Sequence, residues 1–448
     1  MKLLDALFRC EAVTKLFSSE ATVQRMLDFE AALARAEASE EAIPSPAATA
    51  ISAQCRAEFF DLPRLTREAA LAGNLAIPLI KQLKVLVAAF DPEAANFVHW
   101  GSTSQDAIDT GQILQIREAL QMIAGDLHQL CDTLAKLTEE HRGTPIAGRT
   151  WMQHAAPTTL GIKFASWLDA LHRHQERLRE TQRRCIVLQF GGAVGTLASL
   201  GKKAEAVSQS LAKELSLPLP PMAWHSQRDR TAEIASTSGL LVGTLGKIAR
   251  DIALHSQTEV AELREATEEG RGGSSAMPHK QNPVACAAVL SAAARAPGLV
   301  STMLTAMQQE DERSLGAWDA EWETLPEIIC LTAGATHQLA STIPRLEIDT
   351  VRMRDNLELT RGLIYSEGIT AAFGEKIGRA KARALIDAAA QQAIKGKTHL
   401  RKVIEADGQL GATFSATELD KLFDATNYAD AARPFVDRVL EKHKSLEP

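Results

Sequence analysis

Aromatic side chains are scarce in this chain: there are two tyrosines, and Phe, Trp and Tyr together make up 5% of the residues. Strands recruit aromatic and β-branched residues, so a β-rich fold is disfavoured, whereas the abundance of Ala, Leu, Glu, Gln and Arg favours helix. An all-α class follows. A basic excess is missing too. Lys and Arg number 49 against 56 Asp and Glu, a formal net charge of -7, which excludes the footprint of a nucleic-acid or anionic-membrane partner. No uncharged run reaches the about 18 residues of a membrane span. The opening Met1-Lys2-Leu3-Leu4-Asp5 meets an acid before an apolar leader core can build. A cytoplasmic protein is expected.

Several chemical signatures are absent as well. The six cysteines (Cys10, Cys55, Cys131, Cys185, Cys286, Cys330) show no CxxC spacing and are expected to be reduced, mostly core residues. There is no HExxH and no G-x-S-x-G. In the stretch from Gly195 to Lys203, Lys203 stands where a P-loop needs Ser or Thr, and Gly191-Gly192-Ala193-Val194-Gly195 lacks Rossmann spacing. His172 and His174 would project about 200° apart on a helix rich in Arg and Glu, a solvated face rather than a metal site. Neither a metal nor a cofactor is expected.

What is present is helical periodicity. Ile113, Ile116, Leu120, Ile123, Leu127, Leu130, Leu134 and Leu137 alternate spacings of three and four, the seam of a helix bundle. Ile234, Ser238, Leu241, Leu245, Ile248 and Ile252 repeat it, and the stripe continues into the polar His255 and Glu259, which points to a site at that end. Met26, Phe29, Leu33 and Ala36 mark a shorter helix. Pro344 breaks the pattern, and amphipathic helices are expected at 376–393 and 417–423. With 448 residues exceeding one compact core, three segments are expected: an N-terminal helical domain at 1–108, a central long-helix bundle at 109–342 and a C-terminal helical domain at 343–448.

The most informative segment runs from Gly270 to Pro283. Its glycines make a loop, Asn282 is a good N-cap, and Pro283 is a good first residue for the alanine-rich helix that follows. The positive end of that helix and Lys280 would stabilise an anion, such as a serine alkoxide or a substrate carboxylate. On these residues alone, a plain surface loop is the alternative.

The pattern Gly273-Ser274-Ser275-x-Met277-Pro278-x-Lys280-x-Asn282-Pro283 resembles the signature of the fumarase/aspartase superfamily. The resemblance implies that Ser275, beside Ser274, is the general base or acid at the carbon next to a carboxylate. It also implies that Lys280 and Asn282 ligate substrate carboxylate and that Met277 lies against the substrate. Two further blocks occur in the superfamily's order. His99-Trp100-Gly101-Ser102-Thr103-Ser104-Gln105-Asp106 resembles a substrate-binding block, implying substrate contacts at His99, Ser102, Thr103, Ser104 and Gln105. Hydroxyls and an amide suit carboxylate oxygens, and the same Ser-Thr-Ser can cap the long helix that starts nearby. Gly148-Arg149-Thr150-Trp151-Met152-Gln153-His154 resembles the middle block, implying roles for Arg149, Thr150, Trp151, Gln153 and His154. Gln227-Arg228-Asp229-Arg230 and Glu312-Arg313-Ser314 resemble further binding segments. The superfamily further implies a homotetramer that shares its long-helix bundle, each site being assembled from the segments of three subunits.

One departure redirects the chemistry. The superfamily's lyases carry Thr-His where this chain has Thr150-Trp151, and that histidine moves the leaving group's proton; Gly73-Asn74 stands about where a second histidine would be. Amines and hydroxide need protonation to depart, whereas a carboxylate with a pKa near about 4 leaves unaided. Opening or closing a lactone therefore needs only one proton-transfer residue. The middle block and Trp318-Asp319-Ala320-Glu321-Trp322-Glu323 resemble those of the superfamily's lactone-forming members. A small tricarboxylate substrate is expected, with Arg149, Arg228, Arg230, Lys280 and Arg313 supplying positive charge. His99 and His154 either orient substrate and tune Ser275 or serve as structural hydrogen-bonding residues, and Trp151 either fills the space of the missing histidine or shapes the pocket. An amine-eliminating lyase and a non-catalytic helical scaffold are the alternatives; retention of Ser275, Lys280 and Asn282 argues against the scaffold.

Overall fold

The computed structural model describes residues 3–266, 270, 272–273 and 276–446. It is built from helices, and strands among the described residues are limited to two short antiparallel pairs. The elements that carry the candidate site are α1 (Ser19–Ser39), α2 (Ser104–Glu140), the hairpin β1 (Pro145–Thr150) and β2 (Gln153–Thr159), α3 (Leu160–Cys185), α4 (Asp229–His255), α5 (Val284–Thr305) and α6 (Ala317–Thr342).

The chain forms two compact units. The first comprises Met1–Leu127, His174–Gly246 and Ala288–Gln338. Here α1 buries Met26, Phe29, Leu33 and Ala36, and Phe29 packs edge-on against Phe190. The first half of the long seam, Ile113 to Leu127, is also buried here. The second unit comprises His128–Arg173, Lys247–Ala287 and Leu339–Pro448. Its core joins Ala147 to Leu357, Ile364, Ile369, Phe373 and Ile386 of the C-terminal helices. Both periodic seams are therefore helices, as their spacing predicts, and burying a Leu or Ile side chain contributes roughly 1.5–3 kcal/mol. Five of the six thiols are buried, Cys10 is partly exposed, and none is paired.

Three expectations change. The helix expected at 376–393 is two, Ser366–Ile377 and Arg379–Gly396, because Gly378 takes φ 88 between them. The α4 stripe ends at His255, the last helical residue, and Glu259 lies exposed in the turn beyond. His172 and His174 are buried rather than solvated: His172 Nε2 lies 3.1 Å from His443 Nδ1, and His174 Nε2 lies 2.8 Å from Thr244 Oγ1. Burial, reinforced by His443, lowers the His172 pKa to about 4. The expectation about membrane spans is not among them, although α5 is long and apolar enough to cross a membrane by length and composition. It is nonetheless not an uncharged run, because Arg295 interrupts it, and that residue pairs with Glu327.

α1 also buries two carboxylates seven residues apart, Glu30 and Glu37. Among the described residues no hydrogen bond reaches either oxygen of Glu37, and burial, reinforced by the nearby Glu30 charge, pushes its pKa up to about 9. Glu37 is thus a neutral acid at pH 7. A raised folded-state value gives stability that is full below the unfolded carboxylate value and lost as pH rises towards 9. Relative to Glu37→Gln, the wild type should lose up to about 4 kcal/mol between pH 5 and pH 8, at about 1.4 kcal/mol per unit. Denaturant unfolding at both pH values checks this, and a pH-independent difference would contradict it.

Candidate active site

In the first unit the predicted residues gather at the start of α2. The Thr103 carbonyl accepts the Asp106 N–H at 3.0 Å, and the Asp106 carboxylate reaches back to the Thr103 N–H at 3.1 Å. That reciprocal pair caps the helix. Asp106 is fully buried and also accepts from Gln189 Nε2, the N–H groups of Gly191 and Gly192, and Ser102 Oγ, while His225 Nε2 lies 2.9 Å away. One carboxylate thereby anchors the Ser-Thr-Ser turn to the glycine-rich stretch. Ser102, Thr103 and Ser104 remain partly exposed, and the hydroxyls of Thr103 and Ser104 make no hydrogen bond among the described residues. They are available to a ligand.

His99 sits beside this turn with φ 62, its Nδ1 2.6 Å from Glu30 Oε1. Burial opposes its protonation, but the Glu30 charge and hydrogen bond outweigh burial and raise its pKa.

Two predicted ligands are spent inside the fold instead. Gln105 is buried, donates to the His225 carbonyl and to Asp109, and accepts from Arg313 Nε. Arg228, expected as a substrate cation, is 2% exposed and forks onto both Asp109 and Glu321. Burial works against its charge, yet the two carboxylates more than compensate and raise its pKa. Trp318 Nε1 completes the cluster by donating to Asp109 at 3.0 Å. Arg230 Nε donates to the Arg184 carbonyl. Arg313 stays exposed, held by Gln105 and by the Ala193 carbonyl.

In the second unit, β1 and β2 present the middle block. A bulge interrupts their register between Ala147 and Arg149, where Gly148 is needed because a Cβ would lie 2.6 Å from the Ala156 carbonyl oxygen. Arg149 forks onto Glu262 at 2.9 and 2.7 Å. Glu262 is fully buried and also takes His255 Nδ1 at 2.6 Å and Asn356 Nδ2 at 2.8 Å. Burial alone would raise its pKa; the bonds from His255, Arg149 and Asn356 win and hold it at about 2. The stability this pair contributes is therefore complete above the ordinary carboxylate range and lost only as pH falls towards 2.

Trp151 and Met152 form the hairpin tip with φ 50 and 64, a turn that favours glycine or asparagine, and they are 94% and 74% exposed. Thr150 and Gln153 are exposed beside them. His154 faces Arg149 across the strands; burial, then the Arg149 charge, lowers its pKa, and its Nδ1 has no partner among the described residues.

The signature loop is closed at its base by the Asn282 N–H donating to the Gly272 carbonyl and by a bridge between Gly273 and Gln281. Gly272 has φ 70, and a Cβ there would lie 2.7 Å from the Asn282 carbonyl oxygen. Met277 and Lys280 are exposed and Asn282 is partly buried; Ser274 and Ser275 lie outside the described residues. The helix after the loop starts one residue later than predicted, at Val284, with Pro283 accepting its first bond. Its N-terminus is not open to an anion. Glu265 already takes the N–H groups of Ala285 and Cys286, at 3.1 and 2.8 Å.

Sequence reasoning missed Glu30, Glu262 and Glu265. Glu262 lies 113 residues from Arg149 in sequence, and no local pattern announces the pairing. Asp106 had a signal, its place three residues after a capping residue.

The chain falls within a class of enzymes by comparison as well as by architecture. A profile described as Lyase matches residues 9–298, and one described as Adenylosuccinate lyase C-terminus matches 362–439. The chain belongs to this lyase family, the fumarase/aspartase superfamily. Among its relatives, the 3-carboxy-cis,cis-muconate cycloisomerase of Pseudomonas aeruginosa is 51% identical over 445 residues, covering 99% of this chain and 97% of that one. Its namesake from Pseudomonas putida is 50% identical over 419 residues, covering 94% and 99%. The crystal structure of 3-carboxy-cis,cis-muconate lactonizing enzyme from Pseudomonas putida matches with a TM-score of 0.95 at 48% identity, covering 99% of each chain.

Removing Arg228 would leave Asp109 and Glu321 buried and unpaired, which costs about 3–5 kcal/mol. Arg228→Leu should lower stability by that amount in denaturant unfolding, and Arg228→Lys by less. A loss under about 1 kcal/mol for the leucine variant would show that the cluster is not strongly coupled.

Proposed function

We propose that the chain is a 3-carboxy-cis,cis-muconate cycloisomerase, closing its substrate to 4-carboxymuconolactone in aromatic catabolism. The observation that carries this reading is Trp151 at the hairpin tip, where the superfamily's lyases place a proton-transferring histidine. An indole neither gives nor takes a proton near pH 7, so the constellation suits a reaction with one proton transfer.

In the proposed step a carboxylate oxygen of the substrate attacks its own diene. The C–O bond forms as the alkene π pair moves onto the neighbouring carbon, where the adjacent carboxylate holds it as an aci-carboxylate. Ser275 delivers its hydroxyl proton to that carbon and regains one from solvent, so that with one proton taken up the trianion becomes a dianionic lactone. Holding the attacking oxygen against the alkene draws on the roughly 7–11 kcal/mol available from orientation. Thr103 and Ser104 offer free hydroxyls, and Lys280 and Arg313 offer charge. Asn282 ligates a carboxylate at the loop's base, while Gln105 and Arg228 position the first block from behind. The enzyme acts as a cytoplasmic homotetramer in which segments of different subunits complete each site, a reading supported by the exposed Trp151 and Met152 and by the superfamily's habit.

Purified protein mixed with 3-carboxy-cis,cis-muconate, without metal or nucleotide, should deplete the diene absorbance. Ser275→Ala should slow the loss by roughly 10²–10⁴-fold, and Trp151→His should not accelerate it. Absence of turnover in the wild type would overturn the substrate assignment; a large gain in Trp151→His would overturn the argument from the missing acid.

A further inference from the structure

The second unit carries an open pocket of about 340 Å³ lined by Arg149, Lys163, Asp251 and His255. Trp151, Met152, Leu254, Gln257 and Val260 line it as well. The charges in this pocket are not equivalent. Arg149 is committed to Glu262 by two hydrogen bonds. Asp251 accepts from Trp167 Nε1 at 3.1 Å and pairs with Lys247 one turn away. His255 Nδ1 is held by Glu262, and burial lowers its pKa, so the ring is neutral near pH 7. Of these four, Lys163 alone has neither an ion pair nor a hydrogen bond among the described residues, although it is partly buried. Burial, with the like charges of Lys247 and Arg149 opposed only by Asp251 and Glu262, lowers its pKa below the ordinary lysine value. An incoming anion would reverse that penalty.

We propose that this pocket is a carboxylate subsite and that Lys163 is its ligand, with the indole of Trp151 and the side chains of Met152, Leu254 and Val260 covering the flat unsaturated frame to which the carboxylate is attached. The inference rests on the muconate reading and deepens it. Lys163 binds a carboxylate that does not react and so selects a tricarboxylate over the corresponding dicarboxylate. Glu262 serves as a positioning residue, since it fixes the Arg149 fork at the pocket edge and leaves Lys163 as the unneutralised charge.

Two measurements on the intact protein keep the two readings apart. Calorimetric titration with benzene-1,2,4-tricarboxylate, a flat non-reacting probe, should show at least tenfold weaker binding in Lys163→Met than in wild type, with Lys163→Arg retaining most of the affinity. In turnover, Lys163→Met should raise KM for 3-carboxy-cis,cis-muconate at least tenfold while kcat stays within about threefold, and should narrow the preference over cis,cis-muconate. Lys163-dependent probe binding without wild-type turnover would sustain the subsite and overturn the muconate reading. Turnover with probe affinity and KM unchanged in Lys163→Met would overturn the subsite and sustain that reading. An equal loss of probe affinity in Lys163→Arg and Lys163→Met would also overturn it, since a cation would then not be what the site requires.

Discussion

The cost of taking a carboxylate out of water governs this structure. A buried carboxylate is tolerated only where donors replace its lost hydration, and each donor recruited is thereby fixed in place. Asp106 gathers the Ser-Thr-Ser turn, Gly191, Gly192 and His225. Asp109 shares Arg228 with Glu321. Glu262 gathers Arg149, His255 and Asn356, and Glu265 caps the helix that follows the signature loop. Loops have little intrinsic rigidity, so a site built on them acquires its geometry from such anchors.

The same constraint separates the cations by role. Guanidinium groups that fork onto buried carboxylates, Arg228 completely and Arg149 in large part, hold the scaffold. The groups left with unspent charge, Lys280, Arg313 and Lys163, are those that a polyanionic substrate can recruit. The chemistry is correspondingly spare. Ring closure by a carboxylate asks for orientation, charge compensation and one proton, so an indole can occupy the place where amine-eliminating relatives need a histidine. Glu37 is the exception among the acids: with no donor supplied, it meets burial by remaining protonated.

Local patterns made the helices legible, because the three-and-four alternation from Ile113 to Leu134 directly encodes a buried face. The signature from Gly273 to Pro283 and the blocks at His99 and Arg149 were legible as motifs. What they did not disclose was direction. Gln105 and Arg228 belong to the binding blocks yet are buried, because Gln105 is claimed by the His225 carbonyl 120 residues away and Arg228 by Asp109 and Glu321, 119 and 93 residues away. The helix N-terminus after the loop looked open to an anion, but Glu265 fills it from about twenty residues upstream. His172 looked solvated on an Arg-rich helix until His443, 271 residues away, covered it. Long-range pairings of this kind depend on tertiary contact and leave no trace in spacing.

The central claim is that the site performs one proton transfer to a carbon beside a carboxylate, coupled to carboxylate addition. Running the reaction of 3-carboxy-cis,cis-muconate in D2O and locating deuterium in the lactone by NMR and mass spectrometry tests this most directly. The account predicts a single deuterium, on the carbon adjacent to a carboxylate and on one face only. A lactone without deuterium, or with label scrambled over both faces, would contradict delivery of the proton by one positioned residue.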